Sequence, residues 1–205
     1  LFNKPTIDGL ASELNQRGES RPTDIRILPR DGKLPLSFAQ QRLWFLDELS
    51  PGDPMYNIPW VMGLAGEPDR NALQIAIDTV VARHESLRTI FPNQEGAPLQ
   101  IILPRMEVRL HEEDMQDKND SDVQQRRTEL AQQRMSLANG PLTYITLLRT
   151  GNNEYLLSLV IHHIVFDAWS HGILLKELAA VYNATLVHES VELPALAVEF
   201  ADYAG

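Results

Sequence analysis

The sequence holds no cysteine. Disulfides, thiolate metal sites and a cysteine nucleophile are therefore excluded together. Positive charge is also in short supply: 18 Lys and Arg stand against 28 Asp and Glu, a formal net charge of -10. A phosphate-binding surface needs clustered cations, and the nearest approach to one, Arg126-Arg127, is set among glutamines and glutamates. Nucleic acid is not expected as a partner. No apolar run approaches the ~20 residues that span a bilayer, so no membrane association is expected either. The chain opens Leu-Phe-Asn-Lys-Pro, without a methionine or a charged-then-apolar leader; the expectation is a cytoplasmic piece of something longer. There is no Gly-x-Ser-x-Gly elbow, which leaves serine-based acyl chemistry weakly supported. No repeat or low-complexity tract is present.

What remains is ordinary globular material. The 205 residues, 43% hydrophobic and 22% charged, can build a core and give no reason to expect disorder. Ile7, Leu10, Ala11 and Leu14 recur at the spacing of one helical face behind Pro5, a short helix that needs something to pack on. Residues 15–34, rich in Pro, Gly and mixed charge, read as a linker or an extended surface crossing. Ser37 with Gln40 three residues on forms a capping box, ahead of a short helix that buries Leu43, Leu46 and Trp44. Asn57 to Leu64 is a strand. Asp69 caps a helix carrying Leu73, Ala76, Ile77, Val80 and Val81 on one side and running to about Ser86-Leu87. Strands are expected at 100–103 and 108–111, a solvated acidic loop at 112–122 and a polar helix over 121–137. Tyr144 to Leu148 and Tyr155 to Ile161 flank Thr150-Gly151-Asn152-Asn153, strong hairpin chemistry. A helix from about Ser170 places Ile173, Leu174, Glu177, Leu178, Val181 and Tyr182 three and four apart. Mixed helices and hairpins imply an α/β or α+β sandwich, with helices packed on a mixed sheet.

The segment richest in chemistry is His162-His163-Ile164-Val165-Phe166-Asp167, at the end of the second hairpin strand. Imidazole titrates near neutral pH and can take a proton from an amine or hydroxyl. Side chains alternate along a strand, so His162 and His163 cannot share one pocket. One faces a cavity and the other packs inside; alternation alone does not say which. Two plainer readings compete: a pair of satisfied structural histidines, or a metal site using His162, His163 and Asp167, whose opposed side chains converge poorly on one ion. His163, Asp167 and Ser170 contain the residue types of a hydrolase triad, but triads draw their members from distant chain positions. Arg83-His84-Glu85-Ser86-Leu87-Arg88 forms a second cluster, with its cations at the negative end of the Asp69 helix. A carboxylate beside an apolar strand needs a partner. The expectation is that Arg83 or Arg88 pairs with a buried carboxylate, for which Asp167 is the best candidate.

Three motifs then occur in order: Leu36-Ser37-x-Ala39-Gln40-x-Arg42-Leu43-Trp44-x-Leu46, Arg83-His84-Glu85-x-Leu87-Arg88-Thr89-x-Phe91, and His162-His163-x-x-x-Asp167. Together they resemble the first three core motifs of the condensation domains of nonribosomal peptide synthetases. The resemblance covers about 34–205. The opening Leu1-Phe2-x-x-Pro5-Thr6-Ile7-x-x-Leu10-Ala11 is similar to the last helix of a peptidyl carrier protein. The implied organisation is a carrier remnant at 1–17, a linker at 18–33 and the N-terminal lobe of the domain at 34–205. Asp202-Tyr203 resembles the start of the next motif.

The resemblance implies a chloramphenicol acetyltransferase-like fold of two lobes with a tunnel between them. It also implies amide formation between a carrier-bound acyl or peptidyl thioester and the amine of an aminoacyl thioester on the next carrier. No cofactor is expected on this lobe, since the substrates arrive on phosphopantetheine arms. Upstream and downstream carriers, the C-terminal lobe and a nearby adenylation domain are the implied partners. Position by position, His163 is implied to be catalytic, as base or as positioner of the amine. His162 packs away from the tunnel, Asp167 is structural and paired with Arg83, and Arg88 lines the site. Trp169-Ser170 is more similar to domains that join two L-configured partners than to those that accept D residues. One position departs from the pattern: Ala168 stands where the family usually has glycine. At positive φ that alanine is strained by about 1 kcal/mol or more, and at negative φ it costs little. A docking module of the same fold, and an acyltransferase using soluble coenzyme A thioesters, are the alternative functions.

Overall fold

The computed structural model describes residue 6, residues 25–30 and residues 34–204. The expected carrier helix at 1–17 and most of the linker at 18–33 lie outside the described residues. From Leu34 onward the chain builds a four-stranded sheet with helices on both faces. The strands are β1 (Asn57–Ala65), β6 (Leu110–Asp114), β7 (Thr143–Gly151) and β8 (Glu154–His162), in the order β1-β8-β7-β6. β1–β8 and β7–β8 pair antiparallel, while β6 joins β7 in parallel, so the sheet is mixed. Two-stranded pieces, β2 (Thr89–Ile90) with β5 (Ile101–Ile102) and β3 (Asn93–Gln94) with β4 (Ala97–Pro98), lie outside it.

The β7–β8 hairpin forms where its turn residues predict it. Asn153 adopts φ 61, a conformation asparagine tolerates better than most residues. Alternation along these strands separates two layers of core. Ile145 and Leu147, with Leu159 and Leu157 opposite them and Ile161 further along β8, pack with Ile77, Val80 and Val81 of α2 (Arg70–Arg83) and Leu174 of α4 (Ala168–Leu186). Leu148 and Leu156 point the other way, onto Met115, Val123 and Leu130 of the segment that includes α3 (Asp120–Ala131). Helix α1 (Phe38–Leu49) starts at the expected capping box and buries Trp44, whose indole N–H donates to the Phe91 carbonyl at 3.1 Å. Asp69 caps α2 through the amide of Ala72.

Three element boundaries differ from expectation. Helix α2 stops at Arg83, and Glu85–Arg88 forms a separate 3-10 turn after His84. The strand expected at 108–111 is β6, shifted to Leu110–Asp114. It therefore takes in acidic residues assigned to the loop. An edge strand carries such charges well: Glu112 and Asp114 face solvent and discourage further pairing, while the half-buried Glu113 pairs with Arg126. Helix α3 ends at Ala131 rather than 137, and Met135 and Leu137 enter the core from irregular chain.

Candidate active site at the end of strand β8

β8 carries His162 as its last residue and then turns. His162 is 3% exposed. Its amide donates to the Leu142 carbonyl at 2.9 Å, and its Nδ1 accepts the Ile164 amide at 3.1 Å. An Nδ1 that accepts carries no proton, so the neutral ring holds its hydrogen on Nε2. Burial, and then the nearby charge of His163, push this imidazole down to about 4. The next residue has the opposite fate. The His163 backbone is fixed by its amide bond to the Tyr56 carbonyl at 2.8 Å, while its side chain is exposed and lines a cleft of about 830 Å³. The two histidines thus separate as strand alternation requires, with 163 outward and 162 inward. They do not converge on a common ion, and among the described residues no group of three His, Asp or Glu side chains is placed to hold a metal.

The cleft draws its walls from three places. Leu36 comes from the chain leading into α1 and Phe38 and Leu43 from α1 itself, Val165 and Phe166 from the turn after the histidines, and Phe200 and Tyr203 from α5 (Phe200–Ala204). Among the described residues that line it there is no lysine or arginine. Gln40 locks the first wall to the second. Its Oε1 accepts the Ser37 amide at 3.0 Å, and its buried Nε2 donates to the Ile164 carbonyl at 3.2 Å. The first motif therefore braces the backbone beside His163, a function that core packing alone does not suggest. A signal for it exists in the sequence: a capping box uses only the oxygen of a glutamine, leaving its buried NH2 to find an acceptor.

Asp167 is where the expectation fails. It is exposed and serves as the N-cap of α4: its Oδ1 accepts the Ser170 amide at 2.8 Å and the Ser170 hydroxyl at 2.7 Å. The Ser170 hydroxyl, followed by backbone amides of Ser170 and Trp169, holds this carboxyl below its ordinary value against the opposing effect of burial. A capped, solvated carboxylate has no need of a buried cation. Arg83 instead meets Glu177, the buried carboxylate on α4, with Nε–Oε1 at 3.2 Å, while His84 Nε2 lies 2.6 Å from the other oxygen. Arg83 also donates to the Pro194 carbonyl. The Arg83-Asp167 pair is thus replaced by an Arg83-Glu177-His84 clamp between α2 and α4. Arg88 does not line the cleft either. It donates to the Leu103 carbonyl at 2.5 Å and borders a smaller pocket with Arg30 and Gln100.

Ala168 is the first residue of α4 and is absent from the residues at positive φ, which among the described residues and outside glycine are Glu95, Asn153 and His188. The alanine carries no backbone strain, and its side chain is exposed rather than in the cleft wall. Trp169 beside it is 84% exposed.

A family model described as the condensation domain matches residues 30–205. The chain belongs to the condensation domain family. Among curated relatives of this condensation domain, a component of the linear gramicidin synthase of Brevibacillus parabrevis is 40% identical over 214 residues, covering 100% of this chain and 3% of the relative. A dimodular nonribosomal peptide synthase of Bacillus subtilis (strain 168) is 42% identical over 206 residues, covering 100% of this chain and 8% of the relative. The chain therefore spans only a small part of the synthetases it matches. Among solved structures, the X-domain from teicoplanin biosynthesis, in complex with OxyB, superposes with TM-score 0.79 at 30% identity, over 88% of this chain and 39% of that one. The first condensation domain of the calcium-dependent antibiotic synthetase, bound to a substrate analogue, gives TM-score 0.74 at 25% identity over 80% and 40%. The chloramphenicol acetyltransferase-like fold expected from the motifs is the fold these condensation domains share with this chain. Among the described residues, no helix is long and apolar enough to cross a membrane.

Proposed function

We propose that this chain supplies one lobe of a domain that forms peptide bonds in nonribosomal peptide synthesis. Residues 34–205 would be the N-terminal lobe, preceded by a linker at 18–33 and the end of a carrier protein at 1–17. In this reading a donor acyl or peptidyl thioester and an acceptor aminoacyl thioester reach the cleft on phosphopantetheine arms of two carriers. The acceptor nitrogen attacks the donor carbonyl carbon, the carbon–sulfur bond breaks, and the donor arm leaves as a thiol. The proton shed by the nitrogen passes to the His163 imidazole and from there to the departing sulfur. Holding both reactants in one cleft makes the attack effectively unimolecular, which can account for much of the acceleration. No covalent intermediate on the protein is needed.

The observation that carries this reading is the outward imidazole of His163 in an apolar cleft, beside a neighbour that is buried and neutral. His162, Asp167, Ser170 and Gln40 act by holding the turn from which that ring projects. The isolated lobe is expected to be inactive. The complementary lobe, both carriers and an adenylation domain are the partners the reading requires, and the cytoplasm is where it places them. The deciding experiment incubates the complete domain with a loaded donor carrier and a loaded acceptor carrier, and weighs the acceptor carrier intact. Gain of the donor acyl mass on its arm supports amide formation.

A second reading, a docking platform of the same fold, has one observation behind it: the X-domain neighbour was solved as a complex with OxyB. It predicts that the complete domain binds a partner enzyme and leaves the acceptor mass unchanged. Turnover with soluble coenzyme A thioesters and no carrier would instead indicate a free-standing acyltransferase.

A further inference from the structure

The cleft wall formed by α5 is held by charges that no step of the proposed reaction uses. Asp202, on α5, is buried, yet its carboxylate accepts four hydrogen bonds. Leu28 N and Glu199 N donate at 2.8 Å each, and the Arg30 guanidinium donates from Nη1 at 2.6 Å and from Nη2 at 3.0 Å. The same guanidinium turns its Nε to Glu85 at 3.0 Å and gives a further bond to the Leu28 carbonyl at 2.6 Å. Three segments distant in sequence, 28–30, 85 and 199–202, therefore meet at one ion network. Its neighbours in the chain face the cleft: Ser86 follows Glu85, while Phe200, Tyr203 and Ala204 flank Asp202. The helix it holds, α5, is only five residues long. Such a helix has little stability of its own.

We propose that Asp202 and Arg30 are positioning residues for the cleft, fixing the Phe200-Tyr203 wall opposite His163 so that a substrate arm is held between them. The proposal rests on the reading of that cleft as a substrate site. A bidentate arginine–carboxylate pair suits the task because its planar fork fixes direction as well as distance. The bonds from Arg30, together with two backbone amides, also keep the Asp202 carboxyl far below the usual carboxylate range. The network therefore stays intact across the physiological range.

The test uses the complete condensation domain and a stable probe, pantetheine bearing an N-acetyl-leucyl amide, with its dissociation constant measured by calorimetry. Asp202→Asn keeps the shape and removes the charge. Arg30→Ala removes the fork, and Arg30→Lys restores charge without the fork. A wall that holds the arm less well by about 1.4 kcal/mol lowers affinity about tenfold. The expected result is binding weakened about tenfold or more in D202N and R30A, and partly rescued in R30K. Arg126→Ala breaks a comparable ion pair, Arg126–Glu113, on α3 away from the cleft, and is expected to leave binding unchanged. Unchanged affinity in D202N overturns the proposal, as does an equal loss in R126A at matched thermal stability. An unaltered domain that fails to bind the probe overturns both this proposal and the reading of the cleft. Full amide formation by H163A, with D202N still binding weakly, would overturn the reaction assigned to His163 and leave the positioning network standing.

Discussion

Acid should weaken this fold through one particular ring. His162 is buried, accepts the Ile164 amide at Nδ1, and has its pKa pushed from an ordinary 6.5 down to about 4. The sign follows from proton counting. Between those two values the unfolded chain binds a proton that the folded chain refuses, so stability rises with pH across the window. The contribution is fully present above about pH 6.5 and is lost as pH falls toward 4. Each pH unit inside the window is worth about 1.4 kcal/mol, so the whole window is on the order of 3 kcal/mol. Protonation at Nδ1 would also expel the Ile164 amide and disturb the turn that carries His163. The assay is urea denaturation at half-unit steps from pH 4.5 to 7.5 for the natural protein and for His162→Asn, whose amide oxygen can still accept near the Nδ1 position. Carboxylates common to both proteins cancel in the difference. The difference in stability is predicted to be flat above pH 7 and to shrink by about 1.4 kcal/mol per unit below 6.5. A difference independent of pH would refute the reasoning, because it would mean that His162 titrates alike in the folded and unfolded chains.

Glu177→Ala should destabilise by about 3 kcal/mol or more, since it strands the largely buried Arg83 without a counter-charge; a thermal melt within a degree of the parent would contradict the clamp. Asp167→Ala should lose about 1 kcal/mol as an N-cap, while Asp167→Asn, which keeps the cap, should lose less than about 0.5 kcal/mol. A loss of about 3–5 kcal/mol in the asparagine variant would instead restore a buried-pair role for Asp167. Ala168→Gly should leave amide formation within about twofold and lower stability by about 0.5 kcal/mol, because no positive φ is relieved there; a gain in stability would show that the alanine is strained.

Much of this layout is legible without coordinates. Ser37 with Gln40, and Asp69, announce their helices because orphan amides at a helix start demand an acceptor. Gly151 to Asn153 announce the hairpin because few residues tolerate the required backbone. The division of labour between His162 and His163 is contained in strand alternation, although only the direction in which β8 faces the sheet says which ring is inside. The misreadings have physical causes too. Matching Asp167 to Arg83 assumes that a carboxylate beside an apolar strand is buried, whereas this one faces solvent and caps α4. The true partner, Glu177, lies in plain view on the apolar stripe of that helix, where a carboxylate calls for a cation. Glu112 to Asp114 read as loop because charge is rare inside sheets; it is tolerated at the exposed edge that β6 forms. The Arg30-Asp202-Glu85 network joins residues 172 apart in sequence, and no local pattern reports a contact of that range.

The most direct test of the account compares single-turnover amide formation in the complete domain for His163→Asn and His162→Asn, at saturating carriers and at pH 7.5. A loss of about 100- to 10,000-fold is expected for the first and a rate near that of the natural domain for the second. Near-normal turnover in His163→Asn, with the loss falling on His162→Asn in a folded protein, would contradict it.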